Sequence, residues 1–488
     1  MTICVALRAE EVAVRRGTAA PVTRVGMRAS RAAVIAGGDE PVAMLGVAGG
    51  VAPYVQVGDV VVATEVRSDG VVVQCASAAL LAGALRRAGL TVHLGPIETR
   101  RSLARGDDVA RLAMTGAVAV DMESATVAEA VGSRPFAAVR VITDTAAAPL
   151  TRPGIVRDGY HALRTVTRVA PIVSQWAAAA GDREVRLAAP RSFCAGVERA
   201  IDIVQRALDR YGAPIYVRRQ IVHNAHIVAE LEARGAVFVE ELGEVPEGAR
   251  VIFAAHGVTP AVRDEATNRG LSVIDATCPL VAKVHSEVRR YAARDATVFL
   301  IGHRDHEEVV GTVGEAADHV VVVDGESEAE LAQAADPDNV AYVMQTTLAV
   351  DEAERIAGKL RQRFPALVAP RSDDICYATS NRQVAVREIA AESELVLVVG
   401  STNSSNSQRL VEVARRAGAQ AHLVDDVTGI DLDWLRGVRR VGITAGASAP
   451  PHLVDEIVHC LHGLGAVDLR EISAVEENVT FTLPREVS

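Results

Sequence analysis

Short apolar runs alternate with amphipathic helical stretches along almost the whole chain. In the first part the β-like runs are Ile3–Leu7, Val42–Val47, Val60–Val66, Val71–Cys75 and Phe136–Ile142. Ala-rich helical stretches such as Ala79–Ala88 and Ser124–Val131 lie between them. This alternation predicts an α/β domain. From residue 185 onward one unit repeats: a short apolar strand, a polar or Gly-rich corner, then an amphipathic helix. Strands are predicted at Val185–Ala189, Pro214–Val217, Val251–Ala254, Ser272–Asp275, Thr297–Ile301, Val320–Val323, Val340–Met344, Leu395–Val399, Ala421–Val424 and Val441–Thr444. Helices are predicted at about Val197–Arg210, Leu280–Ala293, Asp351–Phe364, Arg382–Ala391, Ser407–Ala417 and His452–Leu464. Strands this short and apolar, joined by helices, imply parallel sheets covered on both faces.

The change of style falls in the polar link Gly181-Asp182-Arg183-Glu184, after a helical stretch ending at Ala180. We therefore expect domains at 1–180 and 185–475, with a C-terminal tail at 476–488. A chain of 488 residues is too long for one ordinary core in any case. The formal net charge of −11 argues against nucleic acid or an anionic membrane surface as the main partner. The apolar opening Ile3–Leu7 is too short for a signal peptide, and no run approaches the ~20 residues of a membrane span. A cytoplasmic protein is expected. Six cysteines in so long a chain do not make a disulfide framework.

The residues just beyond the strands carry the chemistry. Cys194, His223, His256, Cys278, His306, Thr346, Ser404 and Ser448 all lie in such corners. In open parallel sheets this is where ligands bind. One such residue would be a cap or a surface group; a full set in one domain points to a site. Cys4, Cys75 and Cys460 lie in apolar runs or a helix and read as packing. Cys194, Cys278 and Cys376 sit in corners rich in Gly, Pro or Thr and are far apart in sequence, unlike a local zinc knuckle. Three distant thiolates suit an iron–sulfur cluster with one iron left open; the alternative is three buried thiols without metal. Nearby histidines, Ser404, Ser405, Asn406 and Ser448 suit a diphosphate, and Glu308 is the carboxyl group best placed for proton delivery.

The motifs Pro190-Arg191-Ser192-Phe193-Cys194-Ala195-Gly196-Val197, Val222-His223-Asn224, Ala255-His256-Gly257-Val258, Asp275-Ala276-Thr277-Cys278-Pro279, His306-Glu307-Glu308, Gln345-Thr346-Thr347, Asp374-Ile375-Cys376-Tyr377, Asn403-Ser404-Ser405-Asn406-Ser407 and Thr444-Ala445-Gly446-Ala447-Ser448 follow in order over residues 185–475. Together they resemble the 4-hydroxy-3-methylbut-2-enyl diphosphate reductase (LytB) family. The resemblance implies three αβα units around a central [4Fe–4S] cluster held by Cys194, Cys278 and Cys376. It implies substrate binding by His223, His256, His306, Thr346, Ser404, Ser405, Asn406 and Ser448, with Glu308 as proton donor. The implied reaction is reductive removal of the substrate hydroxyl as water, giving isopentenyl and dimethylallyl diphosphate. Electrons would come from a partner such as ferredoxin or flavodoxin. The chain departs from the family pattern at Ser192, usually Gly, at Glu307, usually Pro, and at Ala254 and Ala349, usually Ser.

In the first domain, Ala6-Leu7-Arg8-Ala9-Glu10-Glu11, Gly46-Val47-Ala48-Gly49-Gly50, Asp121-Met122-Glu123-Ser124-Ala125 and Arg140-Val141-Ile142-Thr143-Asp144 resemble the purine nucleoside phosphorylase/nucleosidase family. By that resemblance Asp144 would protonate the leaving purine, Glu123 would hold the ribose and Glu11 would orient the nucleophile. Val47 stands where the family tends to carry a hydroxyl. Fusion to an isoprenoid enzyme suggests an adenosyl-lipid substrate such as adenosylhopane. The alternative is a non-catalytic module for homo-oligomerisation or regulation.

Overall fold

The computed structural model describes residues 1–104 and 106–488. The chain forms two compact units. One takes Met1–Val185 together with Val424–Val441 and His452–Arg470. The other takes Arg186–Leu423, Gly442–Pro451 and Glu471–Ser488. A linear division at residues 180–185 thus misses two later segments that pack with the first unit.

The first unit is built on an eight-stranded mixed sheet. Two of its three longest strands, Val42–Gly50 and Phe136–Asp144, run parallel, with a bulge that sets Gly49 opposite Asp144. Phe136–Asp144 also pairs antiparallel with Val60–Ser68. That second pairing closes a ring through Val92–Thr99 and Ala119–Asp121 back to Val42–Gly50. The helix Ile155–Ala178 buries Ala162, Val166, Val169, Ala170, Val173 and Trp176, a stripe at helical spacing. Trp176 donates its indole N–H to Ser77 Oγ at 2.9 Å. The returning segment docks closely: a Cβ on Gly83 would lie 2.2 Å from the Thr428 carbonyl oxygen. Arg87 donates to the carbonyls of Thr428 and Ile430. Cys4, Cys75 and Cys460 are buried in this unit, and burial pushes their thiols up to about 12, 12 and 11. They are packing groups.

The second unit carries small sheets with helices between their strands. Ala236–Val239, Ile215–Arg218, Arg250–Phe253 and Ser272–Asp275 form a parallel sheet in that order. Val320–Val323, Thr297–Ile301 and Val340–Met344 form another. The third sheet has the order Gln420–Val424, Leu395–Val399, Arg440–Ala445, Arg183–Ala189 and Val467–Ser473. The predicted parallel α/β repeats are therefore present, each strand shifted by a residue or two at most. No helix among the described residues is long and apolar enough to cross a membrane.

The segment after residue 475 is not a loose tail. Val487 is buried in the core with Ile203, Val204 and Val217, and Leu483 packs against it. Glu477 pairs with Arg382, which is fully buried. The same guanidinium donates to the carbonyls of Ser192, Phe193 and Ala378. One side chain thus ties the corner before Cys194, the helix after Cys376 and the C-terminal segment together.

Ser192 sits in that corner at φ +60°, with its hydroxyl buried and unpartnered. A left-handed backbone costs a non-Gly residue roughly 1–2 kcal/mol, which accounts for Gly being usual at this position in the family the sequence resembles. Ser192→Gly is expected to raise stability by about 1 kcal/mol, read as a higher urea midpoint with an unchanged m value.

Candidate active sites

In the second unit the polar strand ends open on one cavity. Its lining includes Cys194, Cys278 and Cys376, the histidines 223, 256 and 306, Glu308, Thr346, Ser404, Ser405, Asn406 and Ser448. Every candidate residue that the sequence reading placed in this domain lines it. The local reason is shared. Cys194, Cys278 and Cys376 are the N-cap residues of the helices Ala195–Tyr211, Pro279–Ala292 and Tyr377–Ala390. His306 caps Glu307–Val313, and Ser404 caps Ser405–Arg416. A helix N-terminus presents unpaired N–H groups and partial positive charge, so five of them converge on one space.

The three cysteines are set by backbone bonds to other strand ends. Cys194 N–H donates to Ala447 O at 3.2 Å, Cys278 N–H to Ala255 O at 2.9 Å and Cys376 N–H to Thr346 O at 3.0 Å. Space between the thiols depends on Gly196, where a Cβ would lie 2.8 Å from Cys278 Sγ and 3.8 Å from Cys194 Sγ. Burial pushes Cys278 up to about 11 and Cys376 up to about 12. Both are thiols at neutral pH unless a cation stabilises the thiolate.

Glu308 is almost wholly buried. One carboxylate oxygen accepts the Thr346 N–H at 2.6 Å and the other accepts the Thr346 hydroxyl at 3.0 Å. Burial outweighs those bonds and lifts its pKa to about 7. His306 Nδ1 accepts the Glu308 N–H at 3.2 Å, which leaves Nε2 as the protonated nitrogen of a neutral ring. Burial and the neighbouring His256 hold His223 down to about 3 and His306 to about 4. Both side-chain atoms of Asn406 and both ring nitrogens of His223 are buried without a partner. These are groups built to meet a ligand. Among the described residues no lysine or arginine lines the cavity. Tyr377, Thr347 and Phe481 line it too and were not singled out in the sequence. Tyr377 carried the one available signal, since it follows a candidate cysteine directly; its hydroxyl accepts the Ala195 N–H at 3.2 Å.

The first unit has its own cavity, lined by Glu10, Val47, Gly49, Asp121, Glu123 and Asp144 with Leu7, Met27, Leu103 and Leu150. Gly49 lets the Asp144 carboxylate approach the strand, since a Cβ there would lie 3.3 Å from it. Burial raises Asp144 and Glu123 above the ordinary carboxylate range. Glu123 accepts the Arg28 N–H at 3.0 Å. Behind it, fully buried Arg140 pairs with Asp121 at 2.6 Å. The expectation for Glu11 is corrected here. Glu11 faces away and pairs with Arg15 at 3.1 Å and Arg24 at 3.7 Å. Glu10 is the residue in the cavity, accepting the N–H groups of Ala6, Leu7 and Val47 at 2.8–2.9 Å.

Comparison with known proteins covers both cavities. Residues 185–462 match the LytB protein family. The chain belongs to the LytB family. The 4-hydroxy-3-methylbut-2-enyl diphosphate reductase of Leifsonia xyli subsp. xyli is 54% identical over 308 residues, covering 63% of this chain and 91% of that protein. The enzyme of the same name from Acidothermus cellulolyticus is 57% identical over 306 residues, covering 62% and 90%. The solved structure of the E-1-hydroxy-2-methyl-but-2-enyl-4-diphosphate reductase from Plasmodium falciparum is 37% identical, covers 63% of this chain and 97% of its own, and superposes with a TM-score of 0.60. Residues 8–174 match the phosphorylase superfamily. As a LytB protein with a phosphorylase-type N-terminal unit, the chain pairs two α/β folds with a separate cavity in each.

The Glu308 carboxyl is expected to change protonation near pH 7. The measurement is its carboxylic C=O infrared band, which should fade as pH rises through about 7 and be missing in Glu308→Gln at every pH.

Proposed function

We propose that the second unit reduces 4-hydroxy-3-methylbut-2-enyl diphosphate to isopentenyl and dimethylallyl diphosphate. The observation that carries this reading is a buried, proton-holding Glu308 in the same cavity as three helix-capping cysteines. The cysteine set fits a [4Fe–4S] cluster. Three soft thiol donors face one space, which the missing side chain of Gly196 keeps open. Cys194, Cys278 and Cys376 would hold the cluster, which when bound supplies electrons one at a time at low potential. An electron-carrier protein of the ferredoxin or flavodoxin kind would reload it.

The remaining residues bind and protonate. The diphosphate meets neutral donors: Ser404, Ser405, Asn406 and Ser448, the histidines, and the free N–H groups at the start of Ser405–Arg416. Thr346 holds both oxygens of Glu308 and so aims its proton. With a pKa of about 7, Glu308 can give a proton to the departing hydroxyl or to carbon and regain it from water. Turnover that depends on this proton is present below about pH 7 and declines above it.

For the first unit we infer cleavage of the N-glycosidic bond of a purine nucleoside by water. Asp144, its proton held more tightly because of burial, would protonate the purine; Glu123 would bind the ribose hydroxyls; Glu10 would orient the nucleophile. Water is favoured over phosphate because the four carboxyl groups of the described lining oppose an anionic nucleophile. Leu7, Met27, Leu103 and Leu150 would accept an apolar 5′ substituent, as on an adenosyl-lipid.

Anaerobically purified protein should be brown and hold about four irons per chain, the full [4Fe–4S] set. Cys194→Ser, Cys278→Ser and Cys376→Ser should each lose the cluster, while Cys4→Ser, Cys75→Ser and Cys460→Ser keep it. A colourless wild type after anaerobic reconstitution would refute the assignment. Glu308→Gln should keep the cluster and lose roughly 10²–10⁴-fold in turnover. In the first unit, adenine release from adenosylhopane or 5′-methylthioadenosine by the full chain should vanish in Asp144→Asn; no release by the wild type would leave the unit non-catalytic.

A further inference from the structure

Glu307 has no task in the reductase reading, and it replaces the Pro usual in the family pattern. It occupies the first turn of Glu307–Val313, next to Glu308, but pairs elsewhere. One carboxylate oxygen lies 3.3 Å from His256 Nδ1 and the other 3.4 Å from Arg219 Nη1. His223 stacks on His256 with ring centroids 4.0 Å apart and planes 21° apart. One donor atom from each of His223, His256 and Glu307 lies within 4.8 Å of the other two.

His256 Nδ1 meets the Glu307 carboxylate. Both ring nitrogens of His223 are buried and, among the described residues, lack hydrogen-bond partners. The ion pair of Glu307 with Arg219 does not answer for those nitrogens, and Arg219 also has Glu241 within 3.5 Å.

We propose that His223, His256 and Glu307 bind one divalent transition-metal ion, with Zn²⁺ the best match, on the wall of the substrate cavity. Two imidazoles and one carboxylate are the donors of three-ligand zinc sites, which keep a coordination position open. His223 and His256 line the cavity and Glu307 does not. The open position therefore falls on the cavity side, where a phosphate oxygen can take it. A carboxylate alone at this spot would oppose an anionic substrate; a bound dication reverses that sign. The three cysteines, a softer set, are left to iron. The metal's binding stands on this geometry, while its phosphate ligand rests on the reductase reading, in which the same two histidines face the diphosphate.

The test uses the full chain with its iron retained, washed with chelator and dialysed anaerobically against buffered Zn²⁺. About one zinc per chain is expected, with a zinc-edge X-ray absorption shell of N and O at about 2.0–2.1 Å and no sulfur near 2.3 Å. Glu307→Gln and Glu307→Pro should each weaken zinc binding at least ~10-fold with iron content unchanged. Glu307→Pro is expected to fold, because Pro is favoured at the first position of a helix. Absence of bound zinc, a sulfur shell, or unchanged affinity in either variant would overturn the proposal.

Discussion

The second unit depends on holding several helix N-termini against one another around a small space. Each brings unpaired N–H groups and partial positive charge, an arrangement that favours whatever negative charge enters. Cysteines at three of these caps put the softest available donors where that field is strongest. Each cysteine is then fixed by a backbone bond to a different strand end, so the strands, not the side chains, set the spacing of the sulfurs. Arg382 fastens the corner of the first cysteine to the helix of the third.

Desolvation sets the chemistry in both units, with a sign that depends on neighbours. Glu308, Asp144 and Glu123 are buried with little countercharge or with insufficient countercharge, and their protons are held more tightly than in water. Asp121 is buried as deeply, but Arg140 and a set of hydrogen bonds keep it ionised. Adjacent Glu307 and Glu308 show the contrast within one helical turn: one faces imidazoles and a guanidinium, the other faces Thr346. Of two consecutive glutamates, one thus lies below the usual carboxylate range and the other above it.

Much of this was legible in the chain. A parallel sheet directs its strand ends toward one crevice, so a list of the residues just past each strand already named the groups that line the cavity. Helix phase was the weaker guide. Glu10 and Glu11 look alike in sequence, yet Glu10 shares a face with buried Ala13 and Val14, while Glu11 has Arg15 one turn on, the spacing of a surface ion pair. Reading that phase would have chosen Glu10. The return of Val424–Val441 and His452–Arg470 to the first unit was not legible. A strand–helix repeat reads the same whichever core it packs on, and the contact at Gly83 depends on backbone approach that no periodicity reports. Nor did composition mark residues 476–488 as structural, since their anchors are only Glu477, Leu483 and Val487.

Those late anchors bear on how the molecule is made. A ribosome delivers the N-terminal unit's sheet first, but helix Pro451–His462, most of which packs with that unit, emerges hundreds of residues later. The cavity of the second unit waits longer still, because Phe481 lines it and Glu477 holds the arginine that braces the Cys194 corner. Each unit is therefore completed only once these late segments have been made.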